Sequence, residues 1–202
     1  MSRPAPSGGP APPSPWRGVD LLERAIGYTR GSLVLVTPEL MSAPTPCVAW
    51  DLRALLGHMN DSLASLHEAG SVRRVRLDGP SAGGADPVNA LRTRACQLLA
   101  DWSAVEEGTR TRCDVLVNDR PLTSSVLTSA GALEVTVHGW DVAVACGARR
   151  PIPELLAEDL LRLAPALVSD DDRPSRFALP LDPPVDASKA ERLLAFLGRS
   201  PR

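Results

Sequence analysis

Aromatic side chains are scarce, 3% of 202 residues, so any core this chain builds must be filled by aliphatic side chains. Lysine is almost absent. Lys189 is the only one among 22 basic residues, and this bias towards Arg, with abundant Ala and Pro, points to a GC-rich genome. No apolar run reaches the ~18 residues of a membrane span, and a net charge of −2 gives no electrostatic ground for a nucleic-acid partner. The first ten residues lack the apolar segment of a signal peptide, so a cytoplasmic protein is expected. The four cysteines, Cys47, Cys96, Cys113 and Cys146, form no Cys-x-x-Cys pair. Such scattered thiols are expected to be plain buried side chains, not a disulfide framework or a structural metal knuckle. What is present is a 44% hydrophobic share, which at this length supports one well-buried core.

Residues 1–15 are Pro, Gly, Ser and Ala for the most part, too polar and too flexible to offset ordering entropy, and a disordered tail is expected there. Residues 16–202 are expected to form one domain. Leu22, Ile26, Leu33, Val36 and Leu40 predict a first helix from Trp16 that ends before Pro44. Asp51 predicts the start of a second helix, with Leu52, Leu55, Leu56, Met59, Leu63 and Leu66 as its core stripe and Gly70 as its stop. After a Gly/Ser loop, Val88, Leu91, Ala95, Leu98, Trp102 and Val105 space a third helix. Residues 108–121 alternate weakly and predict an extended link. Thr123 or Ser124 caps a fourth helix that runs to Cys146, with Gly147 suited to its end. Shorter helices are expected over 154–167 and 186–197. Four long helices with short additions predict an all-α bundle.

The fourth helix carries the chemistry. From Val126 to Ala145 nearly every residue is apolar or small, and the ionisable exceptions are Glu134, His138 and Asp141. Spacings of four and three place all three on one face. A carboxylate in such surroundings is costly unless it is paired or bound to a metal. Glu134 and His138 can reach one ion together, and His58, at the flank of the second helix's core stripe, is the third donor. Three N/O ligands leave a position open, the arrangement of a catalytic zinc site. Asp141 would then orient a ligand. Two plainer readings stand beside this one: a lone His in an apolar helix is more often a hydrogen-bonded core residue, and Glu134 with His138 can be a simple ion pair. His67, near the end of the second helix, is expected to be exposed and uninvolved.

Three segments resemble a known family. Residues 44–58 (Pro-Thr-Pro-Cys-Val-Ala-Trp-Asp-Leu-Arg-Ala-Leu-Leu-Gly-His) resemble the opening motif of the mycothiol-dependent maleylpyruvate isomerase N-terminal domain, within the DinB-like superfamily. Residues 134–143 (Glu-Val-Thr-Val-His-Gly-Trp-Asp-Val-Ala) resemble its second motif, and residues 196–201 (Phe-Leu-Gly-Arg-Ser-Pro) the ending of a single-domain actinobacterial branch. The resemblance implies a four-helix bundle in up-down-down-up order and a metal held by His58, Glu134 and His138. It also implies a bound metal that activates a low-molecular-weight thiol for isomerisation or S-transfer.

The enzyme reading that follows is a zinc-dependent, mycothiol-dependent S-transferase or isomerase acting on an electrophilic metabolite. Its partners would be the thiol and a small-molecule substrate. Arg53 and Arg120 are candidates to bind an acidic group on either, and Asp141 is the remaining candidate for a catalytic role. The alternative is a non-catalytic metal-binding module that senses or sequesters a small ligand, with a homodimer as an allowed assembly. No membrane or nucleic-acid partner is expected in either case.

Overall fold

The computed structural model describes residues 16–47, 50–71, 74–75, 86–107, 114–117, 120–173 and 177–200. The tail expected over 1–15, most of the Gly/Ser loop before Pro87, and Cys113 lie outside the described residues. Six helices dominate: α1 (Trp16–Leu33), α2 (Leu52–Ser71), α3 (Pro87–Glu107), α4 (Ser124–Ala145), α5 (Glu154–Leu167) and α6 (Lys189–Phe196). Two single 3-10 turns cover Pro38–Leu40 and Asp170–Asp172. The all-α class expected from the sequence is the class observed.

Local chemistry sets most of the boundaries. Asp51 Oδ1 accepts the Ala54 N–H at 2.8 Å, and Asp86 Oδ1 accepts the Asn89 N–H at 2.9 Å, each satisfying an orphan donor at a helix start. Thr123 caps α4, and Ser188 with Glu191 forms a reciprocal capping box on α6. Gly147 follows α4 in the left-handed region, φ 71°, which a residue with a Cβ adopts only under strain. The last helix starts at Lys189, three residues later than expected, and Gly70 lies inside α2 one residue before its end, but the largest difference is at the first helix. The first helix stops at Leu33 instead of running towards Pro44, because Pro38 disfavours helix at Thr37, which is extended at φ −122° and ψ 160°. Val36 and Leu40 still pack against the core, Val36 from the link after α1 and Leu40 from the 3-10 turn.

The extended link is a small sheet. Strands β1 (Arg74–Val75), β2 (Asp114–Val117) and β3 (Arg120–Thr123) lie in that order. β2 and β3 are antiparallel with Val117 opposite Arg120, and β1 adds in parallel with Arg74 opposite Leu116. A two-residue strand carries no periodicity, so β1 left no mark in the sequence pattern.

Contacts between helices fix their directions. On α1, Gly18 meets Thr128 and Thr29 meets Gly139, so α1 and α4 run the same way. On α2, His58 reaches Glu134 while Leu66 packs on Gly131, so α2 runs against α4. Asn60 bonds Pro87 and Gly70 meets Trp102, so α3 runs with α2. The four helices are therefore up, down, down, up, with α5 and α6 packed together and α5 also touching α4 and α1. Leucines fill the interior: Leu22, Leu52, Leu55, Leu56, Leu98 and Leu160 are fully buried. Among the described residues no helix is long and apolar enough to cross a membrane.

The α1–α4 contact is close because Gly139 lacks a side chain. A Cβ there would collide with Thr29 Oγ1 and stand 3.1 Å from Thr29 Cα. The Thr29 hydroxyl donates to the Val135 carbonyl at 2.7 Å and cannot retreat without losing that buried bond. Gly139→Ala should therefore destabilise the fold by about 1–3 kcal/mol despite its better helix propensity. A urea titration checks this, and an unchanged midpoint would mean that α1 can shift freely.

Candidate metal centre

Helix α4 is buried on most sides, and its three ionisable side chains face α2 and the segment before it. Their environments are graded. The Glu134 side chain keeps 28% exposure, that of His138 9%, and that of Asp141 none. His58 approaches from α2 with 35% of its side chain exposed, so the cluster opens to solvent on the His58 and Glu134 side and is closed behind Asp141.

Glu134 Oε1 is the centre of the group. It lies 2.6 Å from His58 Nε2 and 3.5 Å from His138 Nε2, and it accepts the Ser62 hydroxyl at 2.9 Å. His138 turns its other nitrogen, Nδ1, to Asp141 Oδ2 at 3.0 Å. One donor atom from each of His58, Glu134 and His138 lies within 4.8 Å of the others. Ligands on a tetrahedral zinc with bonds near 2.0–2.1 Å stand about 3.3 Å apart. The 3.5 Å edge already matches, and the 2.6 Å edge would have to open by less than an ångström. The donor set, two imidazole nitrogens and a carboxylate oxygen, is one that zinc accepts. Asp141 on the far nitrogen of His138 is the carboxylate that commonly fixes the ring of a metal-binding histidine. The residues fit the ion.

A family model described as the mycothiol maleylpyruvate isomerase N-terminal domain matches residues 22–143, more than half the chain. The chain belongs to that family. All four ionisable residues above fall inside the matched span. Two proteins of Mycobacterium tuberculosis, from the CDC 1551 / Oshkosh and H37Rv strains, are each 26% identical over 182 residues. The alignment covers 89% of this chain and 96% of each relative, both of which are named only as uncharacterized proteins. No solved structure matches the chain at a significant level.

Around this cluster stand residues that sequence reasoning did not single out. The Trp50 ring lies against His58, 4.5 Å between centroids, and 6.1 Å from His138. Its segment is held by the Thr45 hydroxyl, which donates to the Trp50 carbonyl at 2.8 Å. Arg199, from beyond α6, donates to both oxygens of Asp141 at 3.3 and 3.0 Å and to Cys47 Sγ at 3.3 Å. Cys47, His138 and Asp141 thus also lie together, but the Arg199 guanidinium already supplies their cation, and they form a hydrogen-bond network. The sequence signal for Arg199 was indirect: it lies in the 196–201 segment that resembles the family branch's ending, but nothing in that segment pointed to Asp141.

Other expectations fall outside the site. Arg53 is exposed and makes no ion pair among the described residues. Arg120 lies on β3, with its side chain outside the described residues. His67 pairs with Asp101 at 2.5 Å, away from the cluster. The cysteines are not buried as expected: Cys96 is exposed, and Cys47 and Cys146 are intermediate. Cys96 sits on the outer face of α3, a position the 3.6-residue stripe through Ala95 and Leu98 leaves to solvent.

Charge in the metal-free cluster is tightly paired. Burial alone would raise the Glu134 carboxyl, but the charge and hydrogen bonds of His138 and His58 hold it well below its ordinary value. Burial alone would lower His138, but Glu134, then the hydrogen bonds to Asp141 and Cys47, hold it well above. His138 is the cation between two carboxylates. Its raised value stabilises the fold fully below its unfolded value of 6.5 and fades as pH rises through the folded value. Glu134's contribution is full above its unfolded value of 4.5 and fades as pH falls through the depressed folded one. This pair should therefore stabilise chelator-treated protein most between pH 4.5 and 6.5. Thermal melts across pH check it, and Glu134→Gln should flatten the alkaline limb. An equally steep limb in that variant would assign the pH dependence to other groups.

Proposed function

We propose that this chain is a cytoplasmic, thiol-dependent metal enzyme in which His58, Glu134 and His138 hold one zinc ion. In this reading it joins a low-molecular-weight thiol, mycothiol by the family's description, to an electrophilic small molecule. The observation that carries the reading is the convergence of three donor atoms from two helices at a mouth that is closed behind and open in front. When bound, the metal supplies a positive centre that favours thiolate over thiol near neutral pH.

The chain's own residues do the rest. The two imidazoles offer neutral Nε2 donors, and Asp141 fixes His138 in the tautomer that leaves Nε2 free to bind. Glu134 adds one negative charge and is oriented by the Ser62 hydroxyl. Trp50 covers one side of His58 and limits water there. An apolar cleft lined by Ile26, Leu33, Met59, Leu63 and Val135 runs up to Glu134, with Arg30 also at its wall. Sulfur would form a bond to the electrophilic carbon, and the displaced or newly anionic oxygen or carbon would take the proton that the thiol gave up. Isomerisation would require the same C–S bond to break again after rotation, returning the thiol.

The test pairs mycothiol with epoxides, quinones and unsaturated acids, and compares metal-loaded, metal-free and Glu134→Gln protein. Turnover by the loaded wild type alone, with Glu134→Gln reduced at least tenfold, is expected, because Gln keeps the size and loses the anionic ligand. Equal rates with and without metal would overturn the mechanism. Metal and mycothiol both bound, with no turnover on any electrophile, would assign the chain to a binding module.

A further inference from the structure

The matched family span ends at residue 143, yet the charge that closes the back of the cluster comes from Arg199. This arginine is almost completely buried. Its backbone is set by a sequence of close contacts. The Arg199 N–H bonds the Leu194 carbonyl at 2.8 Å, and Gly198 before it adopts φ +73°. A Cβ at Gly198 would stand 2.6 Å from Ala178 Cβ, so only glycine lets the chain turn inward there. Arg199 Nη1 is held by the Leu197 carbonyl at 3.1 Å, which leaves Nε and Nη2 aimed at Asp141. Asp141 Oδ2 is shared between Arg199 Nη2 and His138 Nδ1, each at 3.0 Å. With both oxygens gripped by one planar guanidinium, the carboxylate cannot rotate, and the direction from which it meets His138 is fixed.

We infer that Arg199 is a positioning residue of the metal centre, acting through Asp141 on the ring orientation of His138, so that the C-terminal segment completes a site whose ligands all lie earlier. The inference rests on the metal reading above. A purely structural ion pair would hold α4 to the C-terminal segment without reaching the metal, and the two roles differ in what they change at the ion.

The test uses the full chain as wild type, Arg199→Met, Arg199→Lys, Asp141→Asn and the Arg199→Met/Asp141→Asn double variant. Zinc affinity is read by competition with a chromophoric chelator, and the cobalt-loaded forms by their visible spectra. Arg199→Met, helical by circular dichroism, is expected to bind zinc about tenfold more weakly or worse and to shift the cobalt bands, the scale found for residues that support ligands. Arg199→Lys should lose severalfold less, because the charge returns without the two-point grip. The double variant should lose no more affinity than Asp141→Asn alone, since the arginine acts through the aspartate. A folded Arg199→Met with wild-type affinity and spectrum overturns the inference, as do fully additive losses. If Arg199→Met does not fold, Arg199→Lys decides, and wild-type affinity and spectrum there overturn the inference. A wild type that binds neither zinc nor cobalt removes the metal reading and this inference together, whereas a wild type that binds with Arg199 variants unchanged removes only the inference.

Discussion

Protein purified without chelator should carry about one zinc per chain, and His138→Ala should carry almost none. Each of three donors contributes to one ion, and with only three protein ligands the loss of one leaves two. Zinc bound by four protein ligands is held by roughly 10–16 kcal/mol, so each ligand accounts for a few kcal/mol, or two to three orders of magnitude in affinity. His58→Ala should show the same loss. About a third of its side chain is exposed, so its removal should leave the fold intact, whereas His138→Ala also strips the partner from Glu134 and Asp141. Elemental analysis after zinc is added back and excess removed gives the stoichiometry. Circular dichroism then separates loss of metal from loss of fold. Stoichiometric zinc in both variants would remove these side chains from the site.

How much of this arrangement could be read from sequence differs element by element. Helix α4 was legible at both ends, because Thr123 is a side-chain acceptor at the cap and Gly147 a residue free to take positive φ. Helix α5 was legible because its stripe is regular and Pro153 precedes it. The cluster on α4 was legible because three ionisable residues stand in an otherwise apolar helix, and spacings of three and four are a statement about geometry. What joins that helix to the rest was less so. His58 could be brought to Glu134 by its place at the flank of the second helix's core stripe and at the end of the 44–58 segment that resembles the family's opening motif. Trp50 and Ser62 touch the cluster from positions whose sequence neighbours give no hint of direction: the short connector after Pro46 has no period, and a serine within a helix points wherever the crossing angle sends it. Arg199 is the extreme case. It meets Asp141 across 58 residues of chain, and that contact depends on how α5 and α6 fold back, which no local pattern encodes.

That contact carries the second large effect. Asp141→Ala should destabilise metal-free protein by about 3–5 kcal/mol, a large part of the ~5–15 kcal/mol that holds a domain of this kind together. The cause is less the lost attraction than what remains. Arg199 is buried and cannot give up its proton, so without Asp141 its charge sits in the interior with no carboxylate in hydrogen-bond contact among the described residues, facing the Leu197 carbonyl, the Cys47 sulfur and the Phe177 ring. His138 loses one of its two carboxylates in the same step. Replacing both ends removes the stranded charge. Asp141→Leu with Arg199→Met should therefore recover most of the stability, since well-packed apolar side chains often match a buried ion pair. It should not recover zinc affinity, because nothing then orients His138. Urea unfolding in the presence of chelator gives the stability, free of any stabilisation by bound metal, and chelator competition gives the affinity. A loss below about 1 kcal/mol in Asp141→Ala would mean that water reaches Arg199 once the carboxylate is gone. Zinc affinity restored along with stability in the double variant would make the pair a fastener for the C-terminal segment and nothing more.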